Sequence, residues 1–104
     1  MADSVSTDNQ TGQVVIRKDG NGTSAYASVR DSGDYVAHFV GTWDGATATV
    51  LTKPVGGSTG VELVDLTATA NKGDDQITLK AGQEIALKLA GGSGSEDVTL
   101  TMDR

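Results

Sequence analysis

Apolar and polar residues alternate along most of this chain with a period of two, and no segment sustains a helical period. Val14, Val15 and Ile16 form a β-branched run that ends at the dense turn chemistry of Asp19-Gly20-Asn21-Gly22. A second weak strand holds Tyr26 and Val29 and stops at Asp31-Ser32-Gly33-Asp34. Further strands are expected over residues 61–70, 76–80, 84–90 and 97–102. Alternation turns Ile77 and Leu79, then Ile85, Leu87 and Leu89, then Val98, Leu100 and Met102 inward.

The clearest element spans residues 35–52. Two alternating runs flank Asp44-Gly45, a pair that supplies the positive φ angles of a type I′ turn. The expected hairpin sets Trp43 opposite Ala46, Gly41 opposite Ala48 and Phe39 opposite Val50 on one face, with large side chains against small. Its other face pairs Thr42 with Thr47, Val40 with Thr49 and His38 with Leu51. Gly41 within the strand signals a bulge or room for the indole. Ala81-Gly82-Gln83 closes a second hairpin, with Lys80 opposite Glu84, or else marks a corner between two sheets.

Seven to eight short antiparallel strands with turns at this spacing predict an all-β domain, a β-sandwich or jelly roll, over residues 13–104. Residues 1–12 are polar and aperiodic and read as an N-terminal arm, flexible or ordered by a partner.

Composition changes this picture in two ways. The chain has 104 residues, enough for one domain, and only 22 of them are Val, Leu, Ile or Phe, just above the level at which disorder becomes a concern. A lone monomer core therefore looks thin, and neighbouring chains are expected to supply part of the burial. The net charge of −6 disfavours contact with nucleic acid. No apolar run approaches a membrane span, and no basic-then-apolar leader argues for secretion. With no cysteine, disulfides and thiolate metal sites are excluded.

Little in the chain carries chemistry. His38 is the one histidine, and it lies mid-strand between Val36 and Val40 rather than on a loop, so a packed or subunit-facing role outweighs catalysis. At a subunit face it would make assembly sensitive to mild acid. Asp19-Gly20-Asn21-Gly22-Thr23 begins like a calcium loop but has Ser24 at the sixth position and Arg30 at the twelfth. Asp74-Asp75 reads as a solvated loop. The glycine-rich stretches at residues 56–60 and 91–95 lack the Gly-Lys-Ser/Thr ending of a phosphate loop. No catalytic, metal or cofactor residue is assigned. Val14, Val15, Ile16, Val36, His38, Leu51 and Trp43 are the candidates for a subunit or capsid interface.

The segment GTWDGATATVL resembles a hairpin pattern of small tailed-bacteriophage virion proteins. ITLKAGQEIALKLAGGSGSEDVTLTM is similar to a later stretch of the same proteins, so the resemblance runs over roughly residues 33–102. Two features depart from it. LTKPVGGSTG stands where an aromatic-rich Asp-Gly-Gly loop is common, and the N-terminal third carries no match. The resemblance implies a virion-surface β-sandwich, made in the host cytoplasm, that decorates the capsid as a cement protein or head-fibre base. It also implies a trimer, with the major capsid protein as partner. A tail-fibre or receptor-binding component and a carbohydrate-binding module using Trp43 are the alternatives.

Overall fold

The computed structural model describes residues 3–104, apart from the side chains of Val64 and Asp65. Ten strands and no helix occur among the described residues: β1 (Ser4–Thr7), β2 (Val14–Asp19), β3 (Gly22–Thr23), β4 (Ala27–Ser28), β5 (Gly33–Thr42), β6 (Thr47–Lys53), β7 (Val61–Ala68), β8 (Lys72–Leu79), β9 (Glu84–Ala90) and β10 (Asp97–Asp103). They build two antiparallel sheets. The first runs β1-β2-β10-β5-β8, and the second runs β3-β9-β6-β7 with β4 also paired to β9. Most connections cross from one sheet to the other, and only β1–β2 and β6–β7 are hairpins between sheet neighbours. This is a jelly roll, with β1 added to one edge.

The central hairpin is corrected by this topology. Asp44 and Gly45 do take positive φ, 48° and 83°, and the amide of Ala46 donates to the carbonyl of Trp43 at 2.7 Å, so the tight turn is present. The strands it joins do not pair. β5 lies between β10 and β8, while β6 lies between β9 and β7. Phe39 sits opposite Leu100 rather than Val50, and Val50 sits opposite Leu87. His38 is likewise opposite Thr101, not Leu51. The reason is burial. Tyr35, Ala37 and Phe39 on β5 and Ala48 and Val50 on β6 belong to one core cluster, which the two strands enclose from opposite sheets. Gly41 serves the β10 pairing, since a Cβ there would stand 2.2 Å from the Asp97 carbonyl oxygen. The turn at residues 81–83 is the corner alternative, because β8 and β9 lie in different sheets.

The polar arm is also corrected. Ser4–Thr7 pairs with β2 as an edge strand, with Val5 opposite Ile16. Asp3 holds its start. One carboxylate oxygen accepts the Asp19 amide at 2.8 Å, and the other lies 3.2 Å from the Nζ of the buried Lys18. Residues 8–13 close the β1–β2 connection around the Asp8 carboxylate, which accepts the amides of Gln10 and Thr11. Met1 and Ala2 lie outside the described residues.

The inward alternation follows the expected pattern. Ile85, Leu87, Leu89, Val98, Leu100 and Met102 are all buried, and Leu79 is 2 % exposed while Ile77 packs against the cluster from its margin. The first sheet brings Tyr35, Phe39 and Met102 into this cluster, and the second brings Ile85, Leu87 and Leu89 together with Ala27, Ala48 and Ala68. Nor is the monomer poorly closed. Its accessible surface is 5171 Å². A folded monomer of this mass exposes roughly 5,500 Å². Among the described residues, twenty hydrophobic ones, including six alanines and, in the second sheet, Leu66, Leu87 and Leu89, are buried within the single chain's core.

Candidate functional site

The structure separates the seven candidate interface residues into distinct places. Val14 and Ile16 are fully buried in this chain's own core, so they are not interface residues. Their β-branched run marks an inner strand position, and only Val15 between them points outward. Val15, Val36 and His38 share the outer face of the first sheet, where Thr101 of β10 lies between Val15 and His38. Leu51 is on the outer face of the second sheet, on the far side of the molecule. Trp43 sits at the corner beside Asp44-Gly45 and packs on the margin of the core.

The outer face of the first sheet is built by register. β2 supplies Val15 and Arg17, β10 supplies Thr99 and Thr101, and β5 supplies Val36, His38 and Val40. Val40 is 55 % exposed. Charges stand among these residues as well, with Asp103 opposite Val36, Asp34 two residues before Val36 on the same side of β5, and Arg17 opposite Thr99. Arg17 Nε donates to Asp97 at 2.9 Å, and this bond holds the Asp97 carboxyl below the usual carboxylate range and raises Arg17. At the other end Gln13 Nε2 donates to Asp103 at 2.7 Å.

His38 lies over Gly73, where a Cβ would come within 2.6 Å of the ring. Its Nδ1 is 3.9 Å from Asp103 and makes no hydrogen bond among the described residues.

The aromatic side chains are tied down within the chain. Trp43 Nε1 donates to Asn71 Oδ1 at 2.9 Å, and the same oxygen accepts the Gly41 amide at 3.0 Å. The Tyr35 hydroxyl donates to the Asp31 carbonyl at 2.5 Å, and burial raises its pKa. Tyr26 has Lys53 Nζ 4.0 Å from its ring centroid. Trp43 and Tyr26 stand far apart. Trp43 lies by the turn that opens β6, and Lys53, over Tyr26, closes that strand.

The turns at the Asp44 end are cross-linked by hydrogen bonds. The Asp44 carboxylate accepts from the Ser93 hydroxyl and from the Ser95 amide, and these bonds lower its pKa. Asn21 and Gly92 exchange two bonds, side-chain amide to carbonyl at 3.0 Å and backbone amide to side-chain oxygen at 3.1 Å. Beneath this loop Glu96 is fully buried. Its Oε1 accepts the Gly94 amide at 2.7 Å, and its Oε2 has no hydrogen-bond partner among the described residues.

Asp75 of the acidic pair is 3.2 Å from Lys72, an ion pair rather than a free cation site. No group of three or more His, Cys, Asp or Glu is placed to hold a metal among the described residues.

Sequence reasoning missed Asn71 and Glu96. Asn71 carries no local signal, because its partners, Gly41 near the end of β5 and Trp43 just past it, lie about thirty residues away. Glu96 did carry one. It continues the inward series of Val98, Leu100 and Met102 by a step of two, which marks a carboxylate inside the sandwich.

No protein-family model and no curated protein matches this sequence. Among solved structures, the chain is similar in shape to the cupin domain of Drosophila melanogaster CENP-C, at 12 % identity and a TM-score of 0.49, covering 100 % of this chain and 71 % of that one. Against Drosophila melanogaster CENP-C bound to CAL1 the identity is 12 % and the TM-score 0.49; the match covers 95 % of this chain, which spans just under two thirds, 65 %, of that chain's length. A carbohydrate-binding module of Cellvibrio mixtus lichenase 5A, in complex with cellotriose, is similar at 13 % identity and a TM-score of 0.46, covering 99 % and 86 % of the two chains.

Proposed function

We propose that this domain is a non-catalytic structural protein of a bacteriophage virion, seated on the outside of the capsid as a decoration protein or head-fibre base, and acting as a homo-oligomer. The pattern over residues 33–102 supports the phage assignment, and the physical character of the molecule supports the structural role. One observation carries that role. The groups that would otherwise serve a ligand are tied to this chain: Trp43 to Asn71, Tyr35 to Asp31, Tyr26 to Lys53 and Asp44 to Ser93 and Ser95. Turns fixed in this way leave the two sheet faces as the surfaces on offer, and broad sheet faces suit a shell rather than a small molecule. The surface charge of −6 keeps free copies soluble until they dock.

The test is co-sedimentation of the purified protein with empty, expanded capsids of the phage that encodes it. Saturable binding at a fixed ratio to the capsid protein is expected. A protein that stays in the supernatant at every concentration overturns the reading.

A further inference from the structure

Asn21 and Gly92 form a two-point clasp between the β2–β3 turn and the loop that follows β9. The Gly92 amide donates to Asn21 Oδ1 at 3.1 Å, and Asn21 Nδ2 donates to the Gly92 carbonyl at 3.0 Å. A carboxamide closes both bonds because it carries a donor and an acceptor side by side. Asn21 is exposed, and the residue after it is Gly22. The other two asparagines, Asn9 and Asn71, precede Gln10 and Lys72.

That neighbour decides the chemistry. An asparagine carboxamide is open to attack by the backbone nitrogen of the next residue, and a Cβ on that residue hinders the approach. Gly22 has none and sits at φ 124°, while Gly20, at φ 83°, has open space around it. We infer that Asn21 is a site of spontaneous deamidation, with water as the co-reactant, and that the clasp to Gly92 sets its pace. The Gly22 nitrogen bonds to Asn21 Cγ and gives up its proton, the Cγ–Nδ2 bond breaks, and ammonia leaves. Water then opens the cyclic imide. Cleavage of the new bond to Cγ leaves aspartate at position 21. Cleavage of the bond to the main-chain carbonyl carbon leaves isoaspartate, with the backbone rerouted through the side chain. The sum is an amide and water converted to a carboxylic acid and ammonia.

The fold opposes the first step. The clasp holds the carboxamide toward Gly92, and Gly22 is paired with Leu89 of β9. The nitrogen reaches Cγ when both let go. β3 has two residues, so this is a local opening rather than unfolding. After conversion the clasp does not re-form. A carboxylate has no donor: one oxygen keeps the Gly92 amide, and the other is set against the Gly92 carbonyl where Nδ2 stood. The loop whose Ser93 and Ser95 hold Asp44 thus loses half of its tie to the β2–β3 turn, and the net charge falls by one from −6. The inference goes beyond the capsid reading and stands or falls without it, because its test uses the isolated protein.

The purified protein is held in warm, mildly alkaline buffer, and the tryptic peptide of residues 19–30 is followed by mass spectrometry. Aspartate and isoaspartate accumulate at position 21 while Asn9 and Asn71 stay amides. In the chain unfolded by guanidinium the conversion of Asn21 runs more than ~10-fold faster. Ser93→Ala, which frees the loop from the Asp44 side chain, speeds it in the folded chain. Asn21→Asp, the product made directly, folds by circular dichroism and unfolds at lower urea than the wild type. An Asn21 that stays an amide in the folded protein while the unfolded chain converts overturns the site. Equal rates in the folded protein, the unfolded chain and Ser93→Ala overturn the part assigned to the clasp.

Discussion

Single residues hold this fold where two strands must approach or turn. Gly41 is one. A methyl group there points at the Asp97 carbonyl from 2.2 Å, against backbone that is fixed in the centre of the first sheet. Gly41→Ala is therefore expected to cost more than ~2 kcal/mol, read from urea unfolding, whereas an alanine at a strand glycine with open space would stabilise. Asn71 is the other. Its single oxygen satisfies a backbone amide and an indole N–H at once. Asn71→Ala removes both bonds, at a place where water reaches the freed donors, and should cost about 0.5–1.5 kcal/mol, while Asn71→Asp keeps the acceptor and should retain most of the stability. Equal losses in the two variants would show that packing rather than the shared oxygen matters.

At the scale of elements, what was legible was local. The alternation of residues 84–90 and 97–102 correctly gave their inward sides, and Asp44-Gly45 correctly gave a tight turn with two positive φ angles. What was not legible was which strand each run pairs with. A type I′ turn serves a hairpin or a corner with the same four residues, and the choice depends on β9 and β10, more than thirty residues downstream. The candidate site divided for the same reason. Val15, Val36 and His38 share a face only because β10 enters between β2 and β5, and Leu51 left them when β6 went to the other sheet. Val14 and Ile16 failed because a β-branched run looks alike whether it faces a core or a neighbour.

The corner at Asp44 makes its own prediction. Bonds from the Ser93 hydroxyl and the Ser95 amide lower this carboxyl from its reference value of 3.8. A carboxyl depressed in the folded state stabilises the fold above its unfolded pKa, and that stabilisation is lost as pH falls through the folded value. Asp44→Asn removes the charge and tolerates the positive φ. Wild type should exceed the variant in urea stability at neutral pH, and the gap should narrow only below about pH 4. A gap that stays constant to pH 2 would mean that the bonds are made equally well by a neutral side chain. Asp97, lowered by Arg17, and Asp8, lowered by the Thr11 and Gln10 amides, add to the acid sensitivity of both proteins and cancel in the comparison.

At the scale of the whole molecule, the two chain ends play unequal parts. The start of the chain forms β1, a four-residue strand at the edge of the first sheet. The end forms β10, which lies between β2 and β5 and puts Val98, Leu100 and Met102 into the core. Removing residues 1–7 uncovers the edge of β2 and deprives the buried Lys18 of the Asp3 carboxylate. Its ammonium still reaches the Asp19 carbonyl at 2.9 Å and gains access to water along the freed edge. The loss should be about 1–3 kcal/mol, with the fold retained. Removing residues 97–104 separates β2 from β5 and leaves both without a ladder, in a molecule whose strands are joined mostly across sheets. No part of the jelly roll closes without that strand, so this truncation should show neither the β-sheet circular dichroism nor a cooperative urea transition. The pair of truncations thus separates two kinds of order that look alike in sequence. An edge strand can be given up because one neighbour holds it. A central strand cannot, because both sheets reach their partners through the core that it completes.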